Sequence, residues 1–286
     1  MHDGTLARDV SIGTITVPRL GFGAMRITGR GIWGPPSDRA AALALLRHVV
    51  ERGVRLIDTA DSYGPFVSEE LIAEALRPYP SDLLIATKGG LTRSGPDAWH
   101  PKADPRHLRE ACEGSLRRLR LERIDLYQLH REDPRIPIEE SIGALRDLQA
   151  EGKIRYIGVC NVSLDQLRRA RTVAQIVSVQ NRYNVEDRHS EDVLRACTAD
   201  GTVFIPWHPL GGLEGMPQRI EGTLRRIGER HRASMNQILL AWLLHKSPIM
   251  APIPGTSSIT HFEENMASAQ IVLSPDDLAE LDRLAA

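Results

Sequence analysis

The sequence predicts an α/β protein, a (β/α)8 TIM barrel preceded by a short N-terminal β-hairpin, and three observations lead there. Apolar β-like runs and helical patterns alternate without interruption, giving eight strands, each followed by helix. A chain of 286 residues is long enough for one closed barrel. Six successive runs each end in one polar or amphipathic group: Asp58, Lys88, His130, Asn161, Gln180 and Trp207. An open sheet would spread those ends along a row, whereas a barrel gathers them around one mouth. With no internal repeat, low-complexity tract or linker, residues 1–286 read as one domain.

The elements follow from local chemistry. Residues Val10 to Val17 alternate around Gly13 and predict the hairpin, after which Arg19 to Gly23 begins the main sheet. Helix Asp38 to Arg52 has a capping Asp and stops at Gly53, and strand Leu56 to Asp58 follows. Helix Ser68 to Arg77 and strand Leu83 to Lys88 come next. Helix Asp104 to Leu119, with Pro105 in its first turn, precedes strand Asp125 to His130. Helix Ile138 to Glu151 closes on Gly152, and strand Tyr156 to Cys160 follows. Helix Ser163 to Thr172 leads to strand Ile176 to Gln180, and helix Ser190 to Asp200 to strand Val203 to Trp207. Two helical patterns, about Gly222 to Arg230 and Ser234 to Lys246, lie before a last short strand, Met250 to Ile253. Helices Ile259 to Ala269 and Pro275 to Leu284 finish the chain.

Composition excludes several classes of partner. With 42% apolar and 26% charged residues and a formal net charge of -1, nothing favours nucleic acid or an anionic membrane. Arg117, Arg118 and Arg120 read as one solvated helix face. The three cysteines show no CxxC spacing, so neither a disulfide framework nor a thiolate metal site is expected. The N-terminus lacks the apolar core of a signal peptide, which predicts a cytoplasmic location.

The dinucleotide fingerprint fails because Gly21 and Gly23 are followed by Arg26 where a third glycine should stand, and no P-loop or HExxH pair is present. No metal is expected. What remains around the mouth is Asp58, Tyr63, Lys88 and His130. A phenol ionises near 10, and an adjacent ammonium would lower that value. Lys88 supplies the charge, Asp58 holds Lys88 protonated, and His130 offers a hydrogen bond to a carbonyl oxygen. Such a set suits carbonyl reduction if a hydride donor lies opposite. Taken singly, the Asp–Lys pair would more often be structural and the histidine a core residue; their joint appearance at successive strand ends outweighs this.

From LGFGAM through DTADSYG, ATKGG, DLYQLH, IGVCN, VQNRYN and WHPLGG to IPGTSSITHFEEN, the chain resembles an aldo-keto reductase. The segments GIWGPPSDR and GTSSITHFEEN are similar to pyridoxal-reductase-like bacterial members. The resemblance implies an NADPH-dependent reductase, with NADH as the alternative cofactor, in which Asp58, Tyr63, Lys88 and His130 match the catalytic tetrad and Tyr63 gives the proton. It also implies cofactor contacts from Gly23, Ala24 and Met25, from Cys160, Asn161 and Gln180, and from a stacking Trp207. By the same matching His208, Pro209, Leu210 and Gly211 run beside the pyrophosphate, and Gly255, Thr256, Ser257, His261, Glu264 and Asn265 surround the adenosine end. Cys160 stands where many members have Ser. Gly255 and His261 stand where Lys and Arg often bind the 2′-phosphate, so NADPH preference is expected to be weaker than in those members.

The expected substrate is a small-molecule carbonyl compound, such as a pyridoxal-type or other aromatic aldehyde. Without a long C-terminal loop, Met25, Trp33 and Trp99 are left to line an open mouth. The competing reading is a slow-turnover, cofactor-binding redox sensor or scaffold on the same fold.

Overall fold

The structure, a computed structural model, describes residues 9–211 and 217–284. The chain begins with β1 (Asp9–Ile12) and β2 (Ile15–Pro18), an antiparallel hairpin turning at Gly13, whose φ of 62° a glycine adopts without strain. The remaining strands are β3 (Phe22–Gly23), β4 (Leu56–Asp58), β5 (Leu84–Gly89), β6 (Leu91–Gly95), β7 (Ala98–Pro101), β8 (Ile124–Leu129), β9 (Ile154–Cys160), β10 (Ile176–Gln180) and β11 (Val203–Phe204). The helices are α1 (Arg39–Glu51), α2 (Val67–Leu76), α3 (Pro105–Leu119), α4 (Ile138–Ala150), α5 (Leu164–Arg171), α6 (Glu191–Asp200), α7 (Gln218–His231), α8 (Met235–Lys246), α9 (Ile259–Ala267) and α10 (Pro275–Asp282).

Seven strands form one parallel sheet in the order β3, β4, β5, β8, β9, β10, β11. The eighth stave is the segment 249–254. On one side Phe204 N–H donates to Ile249 O and Ala251 N–H to Phe204 O; on the other Gly21 N–H donates to Pro252 O and Gly23 N–H to Pro254 O. The sheet thereby closes as the (β/α)8 barrel the alternation predicts. The last run is nonetheless a bridge and not a regular strand, because Pro252 and Pro254 have no N–H to return to the first strand. The first and seventh strands are shorter than expected for related reasons. Arg19 to Gly21 precede the ladder with β4, and Pro206 breaks regular pairing before Trp207, though Trp207 N–H still reaches Asn181 O.

Alternation decides which face each strand residue takes. Leu56, Leu84, Leu126 and Val203 pack inside the barrel with Ile12 and Val17 of the hairpin, which covers the floor. Ile57, Ile85 and Tyr127 face outward against the helices. Asp58 and Lys88 stand two residues beyond Leu56 and Ala86, so the same period carries them to the inner face at the opposite end. In β10 a register shift between Ile176 and Ser178 sets Ser178 against Gly158 and Gln180 against Cys160.

The cap read from sequence at Asp38 is in place, accepting from Ala41 N–H. Asp104 accepts likewise from His107 N–H, and Ser163 with Gln166 and Ser234 with Gln237 form capping boxes. The antiparallel hairpin β6–β7 was not expected. Arg118 departs from the predicted solvated face: it ion-pairs with the buried Glu69 at 2.6 Å and lies over the Phe66 ring. Among the described residues no helix is long and apolar enough to cross a membrane.

Candidate active site

At the open end of the barrel the Lys88 ammonium, fully buried, uses each of its three donors. Nζ lies 2.5 Å from Asp58 Oδ1, 2.8 Å from Thr59 O and 3.4 Å from Tyr63 Oη. The second Asp58 oxygen accepts from Gln180 Nε2 at 2.8 Å and Gln128 Nε2 at 3.2 Å. Burying two ions costs several kcal/mol each unless hydrogen bonds satisfy the rest of their capacity, and here they do. Burial alone would depress the Lys88 pKa, but Asp58, then Tyr63 and Cys160, outweigh it, so the value is raised.

Tyr63 stands in the loop after β4, fixed by Tyr63 N–H to Ala60 O and Asp61 N–H to Lys88 O. Its ring meets His130 edge-to-face at 5.8 Å and Trp99 at 6.4 Å. The expected lowering of the phenol is reversed in the net. Burial pushes Tyr63 up to about 12, with Lys88 pulling it down and Asp58 adding to the rise. Desolvation wins because the hydroxyl lies in the barrel and, among the described residues, Lys88 is the one cation that faces it. The ammonium therefore favours the phenolate once it forms but does not create it in advance.

His130 follows β8 directly and holds its ring against Ser62, with Nδ1 3.3 Å from Ser62 Oγ. Burial, then Lys88, Arg131 and Arg93, put its pKa well below the ordinary histidine value, so the imidazole is neutral around pH 7. As the pH falls below about 6.5 the unfolded chain takes up a proton here that the folded chain refuses, so folding stability is lost in that window. We expect the urea midpoint to drop between about pH 7 and pH 5.5 and the drop to shrink in His130→Gln; an unchanged drop would contradict this.

Beyond the tetrad, Asn161 bridges two strand ends. Its Nδ2 donates to His130 O at 3.0 Å and its Oδ1 accepts from Trp207 Nε1 at 2.9 Å. That bond spends the indole N–H and leaves Trp207 to present its ring. A cavity of about 840 Å3 is lined by Asp58, Tyr63, His130, Asn161, Gln180 and Trp207 and continues past His208, Pro209, Leu210 and Gly211. Gly23, Met25 and Gly255 border it on the opposite side, and Trp99 at the mouth. Gly212, the last residue of the WHPLGG segment, lies outside the described residues.

Other expected contacts lie elsewhere. Ala24 is buried, with its carbonyl accepting from Ser68 Oγ. Cys160 points beneath the cavity toward Gln128 Oε1, 3.7 Å away, because alternation in β9 turns it to the inner layer under Asp58. Trp33 does not border the cavity; the Arg93 guanidinium lies 5.7 Å from its ring, and Ile32 takes the lining place. Thr256, Ser257, His261, Glu264 and Asn265 cluster on the turn and first turns of α9, outside the cavity lining. Ser257, His261 and Glu264 are exposed, and Thr256 and Asn265 are buried.

Sequence reasoning missed Arg26, Leu91, Asp97, Pro101 and Arg131, which also line the cavity. Arg26 runs beside the turn at Gly255, where a Cβ would stand 3.6 Å from Arg26 Cγ. The stem of an exposed arginine on the cavity lining thus passes a turn that the sequence shows without a cation. Arg131, next to His130, was the one with a visible signal.

The aldo/keto reductase family model matches residues 19–286. An uncharacterised oxidoreductase of Schizosaccharomyces pombe is 46% identical over 98% of this chain and 90% of its own length. Pyridoxine 4-dehydrogenase of Escherichia coli K12 is 41% identical over 95% of this chain and 96% of its own. The crystal structure of an aldo/keto reductase from Klebsiella pneumoniae in complex with NADP and acetate has a TM-score of 0.82 at 29% identity, covering 97% of this chain and 95% of that one. With the barrel and the constellation at its mouth, these matches show that the chain belongs to the aldo/keto reductase family of oxidoreductases.

Proposed function

We propose that this protein reduces an aldehyde or ketone to the alcohol with NADPH, Tyr63 giving the proton. The observation that carries the reading is the buried Lys88 ammonium 3.4 Å from the Tyr63 hydroxyl, beside a neutral His130, at the end of one large cavity. The residues present fit a nicotinamide cofactor: two side-chain amides, Asn161 and Gln180, and an indole face border the same cavity. When bound, that cofactor supplies hydride to the carbonyl carbon.

The chain's own residues do the rest. Ser62 Oγ at His130 Nδ1 leaves Nε2 to donate to the carbonyl oxygen, which orients and polarises it. Tyr63 passes its proton to that oxygen as negative charge develops there. Lys88 then compensates the phenolate left behind, and Asp58, fixed by three donors, keeps Lys88 in register. Similarity to pyridoxine 4-dehydrogenase and the apolar lining from Met25, Ile32, Leu91 and Trp99 support an aromatic aldehyde of the pyridoxal type as substrate.

The test is NADPH consumption with a panel of aldehydes including pyridoxal, repeated with NADH. We expect higher kcat/KM with NADPH and expect Arg26→Ala to narrow the gap about tenfold, the weight of one charge-assisted hydrogen bond to a phosphate. Fluorescence titration of each nucleotide should show the same change in affinity. Equal or better use of NADH by the unaltered protein would remove the NADPH assignment, and no carbonyl-dependent turnover with either nucleotide would remove the reductase reading.

A further inference from the structure

The hairpin between β5 and α3 is a partition. Leu91, Trp99 and Pro101 border the large cavity, while Thr92 and His100 face a second one of about 460 Å3. Arg93, on β6, is not on the cavity lining, yet its guanidinium uses all five of its N–H groups. Nη1 donates to Ile32 O at 2.8 Å and Ser62 O at 3.0 Å; Nη2 to Gly31 O at 2.9 Å and Gly95 O at 3.2 Å; Nε to Ala98 O at 3.1 Å. The guanidinium carbon also lies 3.6 Å from the centroid of the Trp99 ring.

Those five carbonyls belong to three separate segments: the loop after β3, the loop carrying Tyr63, and the hairpin itself. Each supplies something to the reacting end. Ile32 lines the cavity, Ser62 precedes Tyr63 and meets His130, and Trp99 stands edge-to-face to Tyr63 at 86° and crosses the His130 ring at 67°. One indole face is taken by the guanidinium, so what Trp99 offers the cavity is its other face and its edge.

We infer that Arg93 is a positioning residue that locks Trp99 as a fixed flat wall beside Tyr63 and His130, and that this end of the cavity is shaped for a planar aromatic carbonyl compound. The inference rests on the reductase reading above. Because every Arg93 donor is spent on a carbonyl, the guanidinium is not a receptor for a substrate anion; it acts through the wall it holds. Lysine has three donors and no plane to stack, so it cannot replace the clamp. A small aliphatic aldehyde does not lie against the wall, so its reduction depends on it less than that of an aromatic one.

The experiment compares benzaldehyde with propanal, using NADPH and the full-length protein, for Arg93→Lys, Trp99→Ala, the double variant and Trp99→Phe. We expect Arg93→Lys and Trp99→Ala each to lower kcat/KM for benzaldehyde about 10- to 100-fold more than for propanal, the difference falling mainly on KM. The double variant should be no worse than the poorer single, since both remove the same wall, and Trp99→Phe, which keeps a ring, should recover most of the preference. NADPH affinity by fluorescence titration should stay within about twofold in each. Equal losses on both aldehydes, additive losses in the double variant, or no loss at all would overturn the inference. If Arg93→Lys does not fold, Arg93→Gln, which likewise cannot replace the clamp, takes its place, and an unchanged benzaldehyde preference in either it or Trp99→Ala overturns the inference. A wild-type protein that reduces neither aldehyde nor pyridoxal would count against the reductase reading itself; one that reduces benzaldehyde and propanal equally counts against the wall alone.

Discussion

Replacing Tyr63 by phenylalanine lowers carbonyl reduction by about 10²- to 10⁴-fold, the usual weight of a positioned general acid, and leaves nucleotide affinity unchanged. The substitution removes one hydroxyl and keeps the ring that packs against His130 and Trp99, so the cavity keeps its shape. Its effect should fall on kcat, because the proton is needed only as charge develops on the oxygen. A phenol raised to about 12 stays protonated across the working range, so no alkaline limb from Tyr63 is expected below about pH 9 in the unaltered protein. Activity of Tyr63→Phe within a factor of about three of wild type, under 1 kcal/mol of barrier, would take the role away from Tyr63.

Lys88→Met produces the largest combined loss, in activity and in stability together. Removing one member of a buried ion pair leaves the other uncompensated, at a cost of about 3–5 kcal/mol. Here Asp58, 2% exposed, would keep only the two glutamine donors. The phenolate at Tyr63 would lose its one close cation, so turnover should fall at least as far as in Tyr63→Phe. The double variant Lys88→Met/Asp58→Asn separates the effects: it should recover part of the urea midpoint and none of the activity. A single Lys88→Met protein as stable as wild type would show that the pair does not behave as a buried one.

The barrel is legible in the sequence because its causes are local. Apolar runs of strand length, side-chain caps such as Asp38, Asp104 and Ser163, and glycines at helix ends are properties of neighbouring residues. The residues at the mouth are legible for a related reason, since Asp58 and Lys88 continue the inward period of Leu56 and Ala86. Contacts across distance are not. Arg118 finds Glu69 over 49 positions, and Gln128 reaches Asp58 over 70, without any spacing that announces it. The segment LTRSGPDAWHP hides its hairpin because Gly95 and Pro96 interrupt the alternation and Asp97 turns with a positive φ of 55°. The net direction of the Tyr63 shift was illegible for another reason. Sequence names the cation beside the phenol, while the depth of burial that overrides it is a property of the closed barrel.

The line where the first and last staves meet is stitched from one side only, the amides of Gly21 and Gly23 donating to carbonyls of residues that cannot donate back. It is a seam with half its thread. What keeps it shut is nearness of backbone to backbone: a Cβ at Gly23 would stand 2.7 Å from Ile253 O, and one at Gly255 2.6 Å from Gly23 O. Any side chain at either position would act as a wedge driven in at the rim, where the seam is least able to resist. Since both glycines also border the cavity, prying the seam open would reshape the binding face at once. This one-sided line of the wall therefore has little freedom to vary, and engineering of the cavity should start from the opposite bank, at Trp207 to Gly211.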